Sequence, residues 1–166
     1  MRPGELRGAR WDEIDEDKAT WRIPVHRMKM RHDHIIPLSK QSLVILQDIR
    51  KISGRTELLF PSHRDIKKSI SDVTLLKAFQ IMGYIGPHKI VPHGMRGTAS
   101  TILNEHGHHR DAIERQLAHV EKNKVRAAYH HSEYLAERKA MMQWYADHLD
   151  KLKAEDAKKS NNAQAA

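Results

Sequence analysis

Thr20-Trp21-Arg22-Ile23-Pro24-Val25 and His34-Ile35-Ile36-Pro37-Leu38 are the stretches on which the fold class turns. Both are short and rich in β-branched and aromatic residues, the pattern of strands with at least one buried face. Trp11 to Asp17 reads as a further strand entering a turn at Asp15-Glu16-Asp17-Lys18. Arg27-Met28-Lys29-Met30-Arg31-His32-Asp33 joins the first two stretches as a basic hairpin. The expected product is a small three-stranded antiparallel sheet near the start of the chain.

Outward from that sheet the pattern changes to helical. Residues 1–10 read as the start of a short helix, with Pro3 early, where its missing N–H costs little. Ser39 caps a helix through Leu43, Leu46 and Ile49 that stops near Gly54. Leu58-Leu59-Phe60-Pro61 is a short extended link, and Ser71-Asp72 opens a helix through Leu75, Leu76 and Phe79 that Gly83 ends. His93 begins a helix that carries Arg96 and ends near Gly107; Asp111 to His119 is another. A long last helix is expected from Lys124 to Lys151, with Tyr129, Met141, Met142 and Trp144 on it. The class is mainly α with one small sheet (α+β). Residues 1–150 form one domain, and 151–166, which lose the apolar rhythm, are expected to be a disordered tail.

The 166 residues suffice for one domain with a real core, and no internal repeat is visible. A net charge of +8 favours a polyanionic partner, nucleic acid ahead of a membrane surface, although a merely solvated basic surface has the same composition. Cysteine is absent, which excludes disulfides, thiolate zinc and a cysteine nucleophile, and fits a reducing cytoplasm. The apolar runs fall far short of a membrane span, and the first residues do not read as a secretory signal.

Attack of a phenol on a DNA phosphate, without a metal, needs a particular set of side chains. The pentacoordinate transition state gathers negative charge on its non-bridging oxygens, which two guanidinium groups can clamp. Arg2 and Arg96 are the candidates. Lys29, on the hairpin, could protonate the leaving 5′ oxygen, and His93 and His119 could hold or exchange protons near neutral pH. Tyr129 would be the nucleophile, conserving the bond energy as a phosphotyrosine. His93 and Arg96 can face one groove, being a helical turn apart. Tyr134 is an alternative nucleophile, about 140° around a helix from Tyr129, so that one of the two faces that groove. Arg27 and Arg31 read as phosphate contacts.

In isolation each residue has a bland reading. Arg2 could be a solvated surface residue, His93 a helix cap, His119 a core histidine and Tyr129 a packing residue with its hydroxyl at the rim. The stripe of Met141, Met142, Trp144 and Leu149 reads as helix packing, with partner contact open. His106, His108 and His109 crowd a helix end. They suggest a metal at first sight, but lack the spacing zinc enzymes favour.

Taken in order, six motifs resemble the catalytic domain of the tyrosine recombinases, the phage integrase family, and most closely integrases of P4-like prophages. They are Met-Arg-Pro-Gly-Glu-Leu from Met1, Met-Lys-Met-Arg with Ile-Pro-Leu-Ser between Met28 and Ser39, and His-Gly-Met-Arg from His93. Gln-Leu-Ala-His from Gln116, Val-Arg-Ala-Ala-Tyr from Val125 and Met-Met-Gln-Trp from Met141 complete the set. The resemblance implies that Arg2 and Arg96 stabilise the phosphorane, Lys29 is the general acid, and His93 and His119 handle phosphate and protons. It makes Tyr129 the source of a 3′-phosphotyrosyl link, with strands exchanged through a Holliday junction and no metal or cofactor used. The implied partners are double-stranded attachment sites and, in a full-length protein, a tetramer on DNA. The implied setting is the bacterial cytoplasm, at the nucleoid. The same resemblance implies an N-terminally truncated domain, lacking its opening helix and an upstream DNA-clamping domain. A DNA-binding remnant without catalysis is therefore the competing function, and a histidine-dependent metal nuclease a third.

Overall fold

The computed structural model describes residues 1–28, 33–118 and 134–164. Its sheet has the order β1-β2-β3, from β1 (Ile14–Asp15), β2 (Thr20–Ile23) and β3 (His34–Pro37), with both pairs antiparallel. Trp21 faces Ile36 and Ile23 faces His34 across the β2–β3 ladder. Trp21 and Ile23 are buried while Arg22 between them is exposed, so the period-two alternation decides which face meets the core.

The remaining elements are helical. They are α1 (Pro3–Arg7), α2 (Lys40–Ser53), α3 (Thr74–Ile81), α4 (Gly94–Glu105), α5 (Arg110–Gln116) and α6 (Leu135–Gln164), with single 3₁₀ turns at Trp11–Glu13, Val25–Arg27 and Gly86–His88. Ser39 caps α2, its hydroxyl accepting from the Ser42 amide at 3.2 Å. The helix ends at Gly54, whose amide donates to the Arg50 carbonyl at 2.8 Å; a Cβ there would lie 2.4 Å from that oxygen, so only glycine fits. Gly107, at φ +73°, ends α4 in the left-handed conformation that suits it.

Two apolar clusters form. One gathers Trp11, Trp21, Ile23, Ile36, Leu46 and Leu59 between the sheet and α2. The other gathers Leu103, Ala112, Ile113, Leu117 and Met141, from α4, α5, the corner after α5 and α6. Helix α6 spans the two, lying against α5, β3 and α2. Of the expected packing stripe, Met141 is buried in this cluster and Met142 and Trp144 flank it partly buried, whereas Leu149 is exposed.

Several expectations need correction. Trp11 to Asp17 is not a continuous strand: a 3₁₀ turn precedes a two-residue β1. The cause is competition for the backbone. Leu59 donates to the Ala9 carbonyl at 2.9 Å and Trp11 to the Glu57 carbonyl at 3.0 Å, so this part of the chain pairs with the 57–59 link and must turn before joining β2. Helix α5 stops at Gln116 rather than His119, because Ala118 takes φ +51°. The start expected for the last helix, at Lys124, lies outside the described residues; Tyr134, at φ +46°, immediately precedes α6. The tail expected to be disordered beyond Lys151 continues as helix to Gln164. Its Lys, Ala and Glu residues are good helix formers and no Gly or Pro interrupts them.

Candidate functional site

Helix α1 delivers Arg2 from its N-cap position. Glu5, one turn on and buried, accepts from the Arg2 amide at 2.6 Å and from Arg2 Nη1 at 2.9 Å. Burial pushes the Glu5 carboxyl up, but the backbone and side-chain hydrogen bonds from Arg2 outweigh it, and its pKa falls below the ordinary value. Arg2 is thereby oriented by a carboxylate that stays ionised. Its other terminal nitrogen, Nη2, donates to the Ala118 carbonyl at 3.2 Å.

Helix α4 delivers Arg96 from its first turn. Arg96 Nη2 donates to the Leu117 carbonyl at 2.6 Å. Its Nη1 is buried and, among the described residues, has no hydrogen-bond partner. Burial, and after it the like charge of Arg2, lowers the Arg96 pKa, while Glu5 opposes them. A guanidinium so placed remains a cation and is short of one acceptor.

Both arginines thus meet at one corner of backbone, the left-handed turn that ends α5. Each residue of this corner is held. The Gln116 carbonyl lies 3.3 Å from His34 Nε2, the Gln116 side-chain oxygen accepts from Arg138 Nε at 2.9 Å, and Leu117 and Ala118 take the two arginines. His119 is the next residue in the chain. A cavity of about 310 Å³ adjoins the pair, lined by Arg2 and Arg96 with apolar residues including Leu75, Phe79, Met95 and Tyr145.

The other expected site residues are placed less fully. His93 is exposed at the N-cap of α4, one turn before Arg96, and its side chain makes no capping bond. Lys29, Arg31, His119 and Tyr129 lie outside the described residues. Arg27, expected to contact DNA, points inward instead. It ion-pairs with Glu13 and donates to the Glu5 carbonyl at 2.6 Å. Glu13 also accepts from Trp21 Nε1 at 3.0 Å, so this arginine ties α1 to the sheet. A buried carboxylate requires a cation, and that requirement claims Arg27.

His106 and His108 pack against Trp144, with ring centroids 4.8 and 4.5 Å away, and His109 stacks on Tyr134 at 5.4 Å. Among the described residues no group of three His, Cys, Asp or Glu side chains is arranged to hold a metal ion. Sequence reasoning missed Glu5, His34, Gln116 and Arg138. The three-residue spacing of Arg2 and Glu5 could have revealed the first, since it is the geometry of a reciprocal cap. Nothing in Ala-Glu-Arg-Lys-Ala around Arg138 distinguishes it from a solvated helix face.

The fold is that of a tyrosine recombinase catalytic domain. The sequence pattern of the phage integrase family matches residues 1–135, and the chain belongs to that family. It is 48% identical to the integrase of Enterobacteria phage P4, over 90% of this chain and 37% of that protein. It is 47% identical to the prophage integrase IntA of Escherichia coli K12, over 88% of this chain and 35% of that one. The chain thus spans little more than a third of the length of these relatives. Among solved structures, the integrase of mycobacterium phage Brujita superposes with a TM-score of 0.60 at 15% identity, covering 86% of this chain and 46% of that one. The XerA recombinase does so with a TM-score of 0.57 at 18% identity, covering 77% and 52%. At such identities the likeness is one of fold. No described helix is long and apolar enough to cross a membrane.

Proposed function

We propose that this chain carries the strand-cleaving and rejoining centre of a site-specific DNA recombinase that integrates or excises a prophage. The observation that carries the proposal is the meeting of Arg2 and Arg96 on the adjacent carbonyls of Ala118 and Leu117, with His119 next in sequence. In this reading the two guanidinium groups hold the non-bridging oxygens of the scissile phosphate and stabilise the phosphorane. Tyr129 attacks phosphorus, the bond to the 5′ oxygen breaks, and a 3′-phosphotyrosyl link forms. Lys29 gives its proton to the leaving 5′ oxygen, while His93 and His119 hold phosphate oxygens and manage the tyrosine proton. A 5′ hydroxyl from the partner duplex then attacks the link and releases Tyr129. The net charge of +8 suits a duplex substrate, and Arg31 supplies a further phosphate contact. Action as a tetramer on paired attachment sites in the bacterial cytoplasm belongs to the same proposal.

The net charge of +8 equally accommodates a second reading, that the chain binds DNA without completing recombination. One experiment separates the two. The chain is incubated in EDTA with a nicked suicide duplex carrying the attachment core. A covalent protein–DNA adduct that disappears in Tyr129→Phe supports the recombinase centre. Salt-sensitive binding with no adduct supports the binding-only reading, and an adduct that survives in Tyr129→Phe removes Tyr129 from its role.

A further inference from the structure

Arg138 is the largest fully buried side chain described and has no part in the chemistry proposed above. A guanidinium is buried completely only where its donors are met. Arg138 Nε donates to the Gln116 side-chain oxygen at 2.9 Å, and Nη2 donates to the Ile35 carbonyl of β3. Its own amide donates to the Tyr134 carbonyl at 2.8 Å, in the first turn of α6. From the start of α6, its side chain therefore fastens two other parts of the fold, the end of α5 and the last strand.

We propose that Arg138 is a positioning residue for the Arg2–Arg96 pair, acting through the Gln116–Leu117–Ala118 corner. The proposal rests on reading that pair as the phosphate clamp. The corner is a left-handed turn with Ala118 at φ +51°, a conformation that a non-glycine residue holds only when its surroundings enforce it. Arg138 grips the Gln116 side chain on one side, and His34 meets the Gln116 carbonyl on the other. The next two carbonyls are the ones that orient Arg96 and Arg2. Releasing Gln116 frees the corner to turn, and both guanidinium groups lose the acceptors that aim them. Arg138 does this without touching the phosphate.

The test uses the full chain with Arg138→Met, Arg138→Lys and the milder Gln116→Met, and Ile113→Val as a control for stability loss alone. Side-chain Nε–H resonances of Arg2 and Arg96 are assigned by NMR and their solvent exchange measured without DNA. Exchange at Arg96 should quicken at least tenfold in Arg138→Met and in Gln116→Met, partly recover in Arg138→Lys, and stay unchanged in Ile113→Val. Should Arg138→Met not fold, the comparison of Gln116→Met with Ile113→Val decides. Unchanged Arg96 exchange in a folded Gln116→Met or Arg138→Met variant overturns the proposal. Titration with inorganic phosphate tests the underlying reading separately. If Arg96 loosens in the variants but its wild-type resonance ignores phosphate, the positioning role stands and the clamp does not.

Discussion

Arg2 and Arg96 donate to neighbouring carbonyls, Ala118 at 3.2 Å and Leu117 at 2.6 Å, and so hold two like charges at one corner of the chain. Like charges so placed disfavour one another, and the charge of Arg2 is among the causes that depress the Arg96 pKa. Glu5 pairs directly with Arg2 and also opposes, from further off, the lowering of the Arg96 pKa. In the proposed function, a scissile phosphate seated against both guanidinium groups offsets the two charges.

Arg96→Met should therefore reduce adduct formation on the suicide duplex by roughly a hundredfold or more while leaving stability within about 1 kcal/mol of wild type. Arg96 Nη1 is buried and has no hydrogen-bond partner among the described residues, so its removal deletes no described bond of that nitrogen. Single-turnover cleavage and urea unfolding measure the two effects. A variant with full cleavage would remove Arg96 from the site.

Glu13 and Arg27 form a buried ion pair that Trp21 also joins. Glu13→Leu leaves the Arg27 guanidinium in the interior without its carboxylate, and should cost about 3–5 kcal/mol. The double variant Glu13→Leu with Arg27→Met should recover most of that loss, since no buried charge is then left alone. Urea denaturation of the three variants gives the coupling energy, and additive losses would show that the pair is not a unit.

His34 is buried, and its pKa is lowered to about 4, first by burial and then by Arg138. An unfolded chain binds the proton near pH 6.5, so between that value and the folded one the unfolded state holds more protons. Stability contributed by neutral His34 is complete above about pH 6.5 and drains away as pH falls toward 4, on the order of 3 kcal/mol in all. His34→Gln keeps a donor toward Gln116 and should flatten this part of the pH dependence. Unfolding free energies at pH 7.5, 6 and 5 are the measurement, and identical slopes for variant and wild type would contradict the assignment.

Ala118 bears a Cβ at φ +51°. Ala118→Gly should leave stability unchanged or raise it by up to about 1 kcal/mol, whereas Ala118→Val should lower it by more than that. Thermal unfolding compares them. Equal melting temperatures for the glycine and valine variants would mean that the corner is not held in the left-handed conformation.

Much of the local structure was legible because its causes are local. The alternation in Thr20-Trp21-Arg22-Ile23 identifies a strand and its buried face, and Ser39 and Gly107 mark helix boundaries by their own chemistry. Trp11 to Asp17 misled for a different reason. Its residues suit a strand, but the partner that claims the backbone there is the distant 57–59 link. Arg27 misled likewise: a basic hairpin reads as a DNA contact until a buried Glu13 lays claim to it.

By itself the chain's order of residues determined the class of fold, the caps and turns, and the types of side chain available for phosphate chemistry. Those follow from short-range sterics and hydrophobic period, which act over a few residues. Only the tertiary structure decided that Arg2 and Arg96 share the corner after α5, that Arg27 turns inward, and that Arg138 is buried at the join of α6, α5 and β3. Those outcomes depend on which distant groups compete for a charge or a hydrogen bond once water has been excluded, and that competition has no signature in local spacing.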